Sequence, residues 1–219
     1  MHRVMVVDDE ALVRSGLRMI LGSAADVDVV ATCDGAEAVA EIRRHRPDVV
    51  LLDIRMPEVD GLTVLREVVR LPDPPVVAML TTFHSDDFVA EALGAGAAGF
   101  LLKDTEPAHL IAAVRALAGG GGVLSPSVAR TVIDGYRDRA APPASVTRIG
   151  AMSPREREVL GLMGLGLSNA EIGRRLYLST ATVKDYVSAV LAELGVANRV
   201  QAAVVAQEAG IVPVEDEGR

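Results

Sequence analysis

A doubly wound α/β domain followed by a small all-helical domain is the fold class that the sequence predicts, and three observations carry it. Short continuous apolar runs recur along the first 118 residues, with helical patterns between them. Two of those runs stop on aspartate: Val4-Met5-Val6-Val7 meets Asp8-Asp9, and Val49-Val50-Leu51-Leu52 meets Asp53. The last third carries repeated helix-start and helix-stop signals instead. A continuous apolar run bounded by turn residues reads as a strand buried on both faces of a parallel sheet.

Taken in order, the strand candidates are Val4–Val7, Val27–Ala31, Val49–Leu52, Val76–Leu80 and Gly99–Leu102. Helical patterns occupy about 9–22, 35–45, 61–70, 85–95 and 106–118. Asp34-Gly35, Asp60-Gly61 and Pro72-Asp73-Pro74-Pro75 punctuate the turns. Strict alternation of this kind predicts a parallel sheet with helices on both faces. Gly119-Gly122 follows; no buried strand feeds it and it lacks Gly-x-Gly-x-x-Gly spacing, so it reads as a flexible connection. Ser125-Pro126 opens a short helix to about Arg139, and Ala140–Ser145 is the linker between domains.

The second unit starts at Ser153-Pro154-Arg155-Glu156, where serine, proline and glutamate sit in the positions of a capping box. Ser168-Asn169-Ala170-Glu171 repeats the signal. Ser179 or Thr180 caps a third helix that runs to Leu194 and stops at Gly195, and Arg199–Ala209 makes a fourth that stops at Gly210. Four short helices, with a tight Tyr177-Leu178 turn between the second and third, fit helix-turn-helix.

Composition narrows the function. Half of the 219 residues are apolar, no apolar run reaches membrane-spanning length, and the start of the chain is unlike a signal peptide. Cys33 is the single cysteine, which excludes a disulfide framework and fits a cytoplasmic protein. His2, His45, His84 and His109 form no metal-ligand pattern, so zinc is not expected. Residues 1–118 carry 11 basic and 19 acidic side chains, whereas residues 149–212 carry 6 of each. The net charge of −8 is therefore not that of a protein coated for nucleic acid, and the helical unit is neutral.

An acid at the carboxyl end of a buried parallel strand sits where open α/β sheets bind ligands. Asp8, Asp9 and Asp53 would share one crevice with Thr81, at the end of the fourth strand, and Lys103, at the end of the fifth. Carboxylates that close need a cation, which implies a divalent metal and phosphate chemistry. A carboxylate nucleophile there could take a phosphoryl group, with Lys103 and the Thr81 hydroxyl facing its oxygens. Any one of these acids could instead be a helix cap; three acids, a threonine and a lysine on one rim are poorly explained that way.

Residues 1–118 resemble the receiver domain of two-component response regulators. The matching text is Val6-Val7-Asp8-Asp9-Glu10, Leu52-Asp53-Ile54-Arg55-Met56-Pro57-Glu58-Val59-Asp60-Gly61, Leu80-Thr81-Thr82 and Gly94–Lys103. The resemblance implies a flavodoxin-like fold with sheet order 2-1-3-4-5. It implies Asp53 as phosphoacceptor and Mg²⁺ or Mn²⁺ held by Asp8, Asp9, Asp53 and the Arg55 carbonyl. It also implies Thr81 and Phe100 as a switch pair and Lys103 as the phosphate-sensing cation. Many receivers place proline after this lysine, often behind a cis bond; here Asp104 follows.

In the helix Ser179–Leu194, residues Val183, Val187, Val190, Leu191 and Leu194 recur at core spacing. The opposite face holds Ala181, Lys184, Asp185, Ser188 and Ala192. That face is slim enough for a major groove, and equally compatible with an ordinary solvated surface. Met152–Val212 resembles the LuxR-type helix-turn-helix of NarL/FixJ regulators, on Pro154–Leu160, Gly166–Ile172, Thr182-Val183-Lys184, Leu194-Gly195-Val196 and Asn198–Ala202. By that resemblance this is the recognition helix, with Ser179, Thr180, Thr182, Lys184, Asp185 and Ser188 as DNA contacts. Asp185 either accepts a hydrogen bond from cytosine N4 or is a tolerated surface residue.

The domains expected are thus 1–118, a connection over 119–148, 149–212 and an acidic tail over 213–219. The expected protein is a response regulator, phosphorylated by a sensor histidine kinase and binding double-stranded DNA as a homodimer, with no membrane partner. Ala203, Val204 and Ala206–Ala209, and the receiver surface near 85–118, are candidate dimer contacts. Two rivals are a phosphohydrolase with an aspartyl-phosphate intermediate and a phosphorylation-independent DNA-binding regulator. The first lacks a second acid/base motif, and the intact acids, Thr81 and Lys103 speak against the second.

Overall fold

Val4–Val7 and Val49–Leu52 are completely buried, as strands covered on both faces must be. The computed structural model describes residues 1–82, 86–124, 128 and 148–213. They fall into two compact units, the first built on Met1–Ala118. There the chain runs β1 (His2–Val7), α1 (Ala11–Gly22), β2 (Val27–Cys33), α2 (Ala38–His45), β3 (Val49–Asp53) and α3 (Gly61–Val68). It continues through β4 (Val76–Thr81), α4 (Asp86–Ala95), β5 (Gly99–Leu102), α5 (Pro107–Ala118) and β6 (Val123–Leu124). All strand pairs are parallel and the order is β2-β1-β3-β4-β5-β6, the expected order with one strand added.

β6 lies in the stretch read from sequence as a connection. Two residues are too few to show strand periodicity, and the room for them comes from elsewhere. A Cβ on Gly99 would stand 2.8 Å from the Val123 carbonyl oxygen, so only glycine lets β6 approach β5 there. One face of the sheet packs Val4, Val6, Val49, Leu51, Ala78 and Leu80 against Leu17 and Leu21 of α1 and Leu110, Val114 and Leu117 of α5.

The second unit contains α6 (Pro154–Gly164), α7 (Asn169–Leu176), α8 (Thr180–Leu194) and α9 (Arg199–Glu208). Both expected capping boxes form: the Ser153 and Ser168 N–H groups donate to Glu156 and Glu171 at 2.8 and 2.7 Å. Ser179 caps α8 and Asn198 caps α9. Val183, Val187, Val190 and Leu194 of α8 enter the core, with Leu191 packed at its edge. Ala206 is completely buried in that core, which removes it from the candidate dimer contacts. Tyr177, between α7 and α8, takes the left-handed conformation (φ 57°, ψ 42°), about 1 kcal/mol dearer for tyrosine than for glycine. The expected short helix after Ser125, the Ala140–Ser145 linker and the tail beyond Pro213 lie outside the described residues, Val128 apart.

Candidate functional site

The four expected strand ends meet at one rim. β1 leads into Asp8, β3 ends on Asp53, β4 ends on Thr81, and β5 leads into Lys103. The register levels them: Val7 pairs with Leu52, Asp53 with Leu80 and Thr81 with Leu102. The Lys103 N–H donates to the Thr81 carbonyl at 2.9 Å, which fixes the root of the lysine beside the acids.

Lys103 Nζ then reaches Asp8 Oδ2 at 2.7 Å and Asp53 Oδ2 at 3.0 Å, with Glu10 Oε1 at 3.8 Å. Asp8 is fully buried and Asp53 is only 4% exposed. Two buried carboxylates are tolerable here because one ammonium joins them. Burial is the largest influence on Asp53 and raises its pKa; the Lys103 ammonium pulls it down and Asp8 pushes it up, leaving it raised. For Lys103, burial would lower the pKa, but hydrogen bonds and charge from Asp8 and Asp53 outweigh it and raise it.

Gly61 sets the floor of the site. A Cβ there would stand 2.0 Å from the Asp53 carbonyl oxygen. Its N–H donates to the Ile54 carbonyl at 2.9 Å, and Asp60 caps α3 by accepting from the Thr63 N–H at 2.9 Å. The first turn of α3 is thereby pressed against the backbone of Asp53, a closeness only glycine permits.

Asp8, Asp9 and Glu10 offer carboxylate oxygens that all lie within 4.8 Å of one another. Glu10 was not among the sequence-derived ligands, although it completes the acidic run. Asp53 is not in that group; it joins Asp8 through the shared ammonium. Asp8 Oδ2 is paired with the Lys103 ammonium at 2.7 Å, while Asp8 Oδ1 accepts the Glu10 N–H at 2.9 Å. Arg14 of α1 donates to the carbonyls of Asp8 and Asp9, which pins the turn after β1. Glu10 stands at the N-cap of α1 with no side-chain hydrogen bond to the helix, so its carboxylate is not explained as a cap. Three carboxylates that gather their oxygens this closely form an oxygen-only donor set, which fits a hard divalent cation.

The remaining receiver positions are Thr81, Phe100 and Arg55. Phe100 is fully buried on β5 opposite Met79, and Thr81 is buried at the end of β4. The Arg55 N–H hydrogen-bonds to the Asp53 carboxylate, and its guanidinium lies 5.6 Å from the centre of the Phe88 ring. No peptide bond among the described residues is cis, the one between Lys103 and Asp104 included.

On α8, Lys184 and Asp185 are both exposed and form no ion pair among the described residues. Three expected contact residues bond within the helix: Ser179 Oγ to Thr182 Oγ1 at 2.8 Å, and Ser188 Oγ to the Lys184 carbonyl at 2.9 Å. Thr180 is exposed at the first turn. α7 is anchored from α9 by Arg199, 8% exposed, which donates to Asn169 Oδ1 at 3.2 Å and to the Leu167 carbonyl. Burial depresses this guanidinium to about 10, with the Glu171 charge acting the other way.

Comparison with known proteins agrees with this architecture. Residues 4–115 match the family described as response regulator receiver domain, and residues 151–206 match bacterial regulatory proteins, luxR family. The DNA-binding transcriptional activator DevR/DosR of Mycobacterium tuberculosis is 37% identical, with 95% of each chain covered. The transcriptional regulatory protein LiaR of Bacillus subtilis is 35% identical, over 97% of this chain and all of its own. The crystal structure of ChrA, response regulator of a heme-sensing two-component system, superposes with a TM-score of 0.52 at 35% identity, covering 96% of this chain and 98% of that one. The chain belongs to the response regulators, and within them to the NarL/FixJ type that joins a receiver to a LuxR-type DNA-binding domain. These are transcriptional regulators rather than metabolic enzymes.

Proposed function

We propose that Asp53 is the phosphoacceptor through which a sensor histidine kinase controls DNA occupancy by this regulator. The supporting observation is the buried triad of Asp8, Asp53 and Lys103, held within 3.0 Å contacts at the carboxyl ends of three strands. An Asp53 carboxylate oxygen attacks phosphorus, the bond from phosphorus to the donor breaks, and the donor's leaving atom keeps that electron pair. Asp8, Asp9, Asp53 and the Arg55 carbonyl would hold Mg²⁺ or Mn²⁺, with Glu10 beside them. The bound cation supplies charge neutralisation for the incoming phosphoryl oxygens.

Phosphorylation removes the carboxylate charge that Lys103 now pairs with and presents phosphoryl oxygens in its place. Lys103 and the Thr81 hydroxyl bind those oxygens, and the Phe100 ring adjusts to the displaced Thr81. The result is a changed face formed by α4, β5 and α5. α8 enters the major groove, with Lys184 and Asp185 reading the groove and Ser179, Thr180, Thr182 and Ser188 flanking them. The DNA-binding unit is neutral, so one copy has little electrostatic pull on DNA, and a phosphorylation-promoted homodimer supplies the affinity. Such a protein works in the cytoplasm, where its DNA is.

Acetyl phosphate with Mg²⁺ tests the site. Wild-type protein is expected to gain one acid-stable, hydroxylamine-labile phosphoryl group, with labelling abolished by EDTA and in Asp53→Asn. Undiminished labelling of Asp53→Asn would contradict the assignment.

A further inference from the structure

Tyr177 has an exposure that the core does not explain. It is 96% exposed, the most exposed of the large apolar or aromatic side chains among the described residues. It also occupies a left-handed position that suits glycine or asparagine better. The turn that carries it is nevertheless fixed. The Tyr177 N–H caps α7 on the Gly173 carbonyl, and the Leu178 N–H donates to the same oxygen at 2.9 Å. Arg155 of α6 donates to the Leu176 carbonyl at 2.7 Å. A Cβ on Gly173 would meet the Leu178 carbonyl oxygen at 2.8 Å, so glycine there lets the turn close. The ring is thus displayed by rigid backbone, two residues ahead of the Ser179 cap of α8.

The surrounding charge identifies what the ring meets. From Ile172 to Lys184 the chain carries Arg174, Arg175 and Lys184, with Glu171 and Asp185 at the two edges, within a unit of zero net charge. All three cations are exposed and none forms an ion pair among the described residues. A helix that enters a groove by its N-terminal half brings the residues just before its cap to the groove's lip, where the phosphates run.

We propose that Tyr177 is a DNA-backbone contact, its hydroxyl donating to a phosphate oxygen while the ring packs on the adjoining sugar, with Arg175 as its cationic partner. This rests on the DNA-binding role of α8 and extends the interface to the end of α7. It assigns to Tyr177 the positioning of α8 in the groove and no reading of sequence.

Fluorescence anisotropy of the full chain tests it on two labelled duplexes. One is selected from a random pool by beryllofluoride-treated protein; the other is scrambled. Tyr177→Phe is expected to weaken binding to both by about threefold to tenfold. The salt slope should stay unchanged, because no charge is lost, whereas Arg175→Gln should reduce it by about 1. Tyr177→Gly, which suits the left-handed turn but removes the ring as well, should lose at least as much affinity without losing thermal stability; this separates the contact from the turn. Wild-type affinity in both Tyr177 variants would overturn the proposal. So would a loss confined to the selected duplex, or unchanged DNA binding with failed transcription in vitro, which would point to a protein partner. Wild-type protein that binds neither duplex would overturn the DNA-binding reading itself, and this inference with it.

Discussion

The two units handle charge in opposite ways. In the first, Asp8, Asp53 and Lys103 are drawn inward to a strand-end rim and satisfy one another there. In the second, Arg174, Arg175, Lys184 and Asp185 stand exposed without ion pairs among the described residues, and the buried Arg199 is satisfied by an amide and a carbonyl oxygen. Converging buried charge is costly and persists where chemistry uses it; dispersed surface charge is cheap and suits a partner that arrives from outside. Capping differs in part as well: α6, α7, α8 and α9 each have a side-chain cap, as α3 does, whereas α1, which starts at the acid rim, and α2 have none.

The largest expected effect tests whether Lys103 is the cation that joins the buried acids. Lys103→Met should destabilise the protein by about 3 kcal/mol in EDTA, and Mg²⁺ should restore much of the loss by taking over the joining role. An unchanged urea midpoint in EDTA would break the contrast between the units. Next is the support beneath Asp53. Gly61→Ala must displace either α3 or the end of β3, at about 2 kcal/mol. Labelling by acetyl phosphate should slow with it; a variant of native stability and labelling rate would show that the site does not depend on that contact. On the outward-facing side, Lys184→Ala should weaken binding to the selected duplex about tenfold and leave the urea midpoint unchanged, since this lysine supports nothing in the fold. The smallest effect concerns a surface pair that serves neither site. The Arg115 guanidinium, hydrogen-bonded to Asp26 at 2.7 and 2.8 Å, holds that carboxyl down at about 2. Its contribution is therefore complete above the ordinary value of 3.8 and disappears as pH falls toward 2. Asp26→Asn should flatten that part of the Tm-versus-pH curve and lower neutral-pH stability by the same small amount, small because the pair is solvent-exposed.

Much of this was legible in the residues. Apolar runs that end on Asp8 and Asp53 disclose strands, and the spacing of Lys103 after the fifth run places it on the same rim. Capping residues such as Ser153, Ser168 and Gly195 act locally, so sequence reveals them directly. What escaped depends on distance in space. β6 exists because Gly99 leaves room for Val123, a relation between residues that show no shared pattern. The support of Asp53 by Gly61 is also a matter of approach across a loop. Ala206 looked like surface because the fourth helix of the second unit is apolar nearly all round, and only packing decides which side is covered. Glu10 was in plain view, but its proximity to Asp8 and Asp9 follows from the turn that Arg14 holds.

The central claim is that charge chemistry buried in the first unit controls recognition by the exposed face of the second. Affinity for the selected duplex, measured with and without beryllofluoride and Mg²⁺ in wild type and Asp53→Asn, tests it most directly. Beryllofluoride is expected to tighten binding by wild type at least about tenfold, the scale of a typical coupling energy, and to leave Asp53→Asn unchanged. Equal affinity for the wild type in the two states would contradict it.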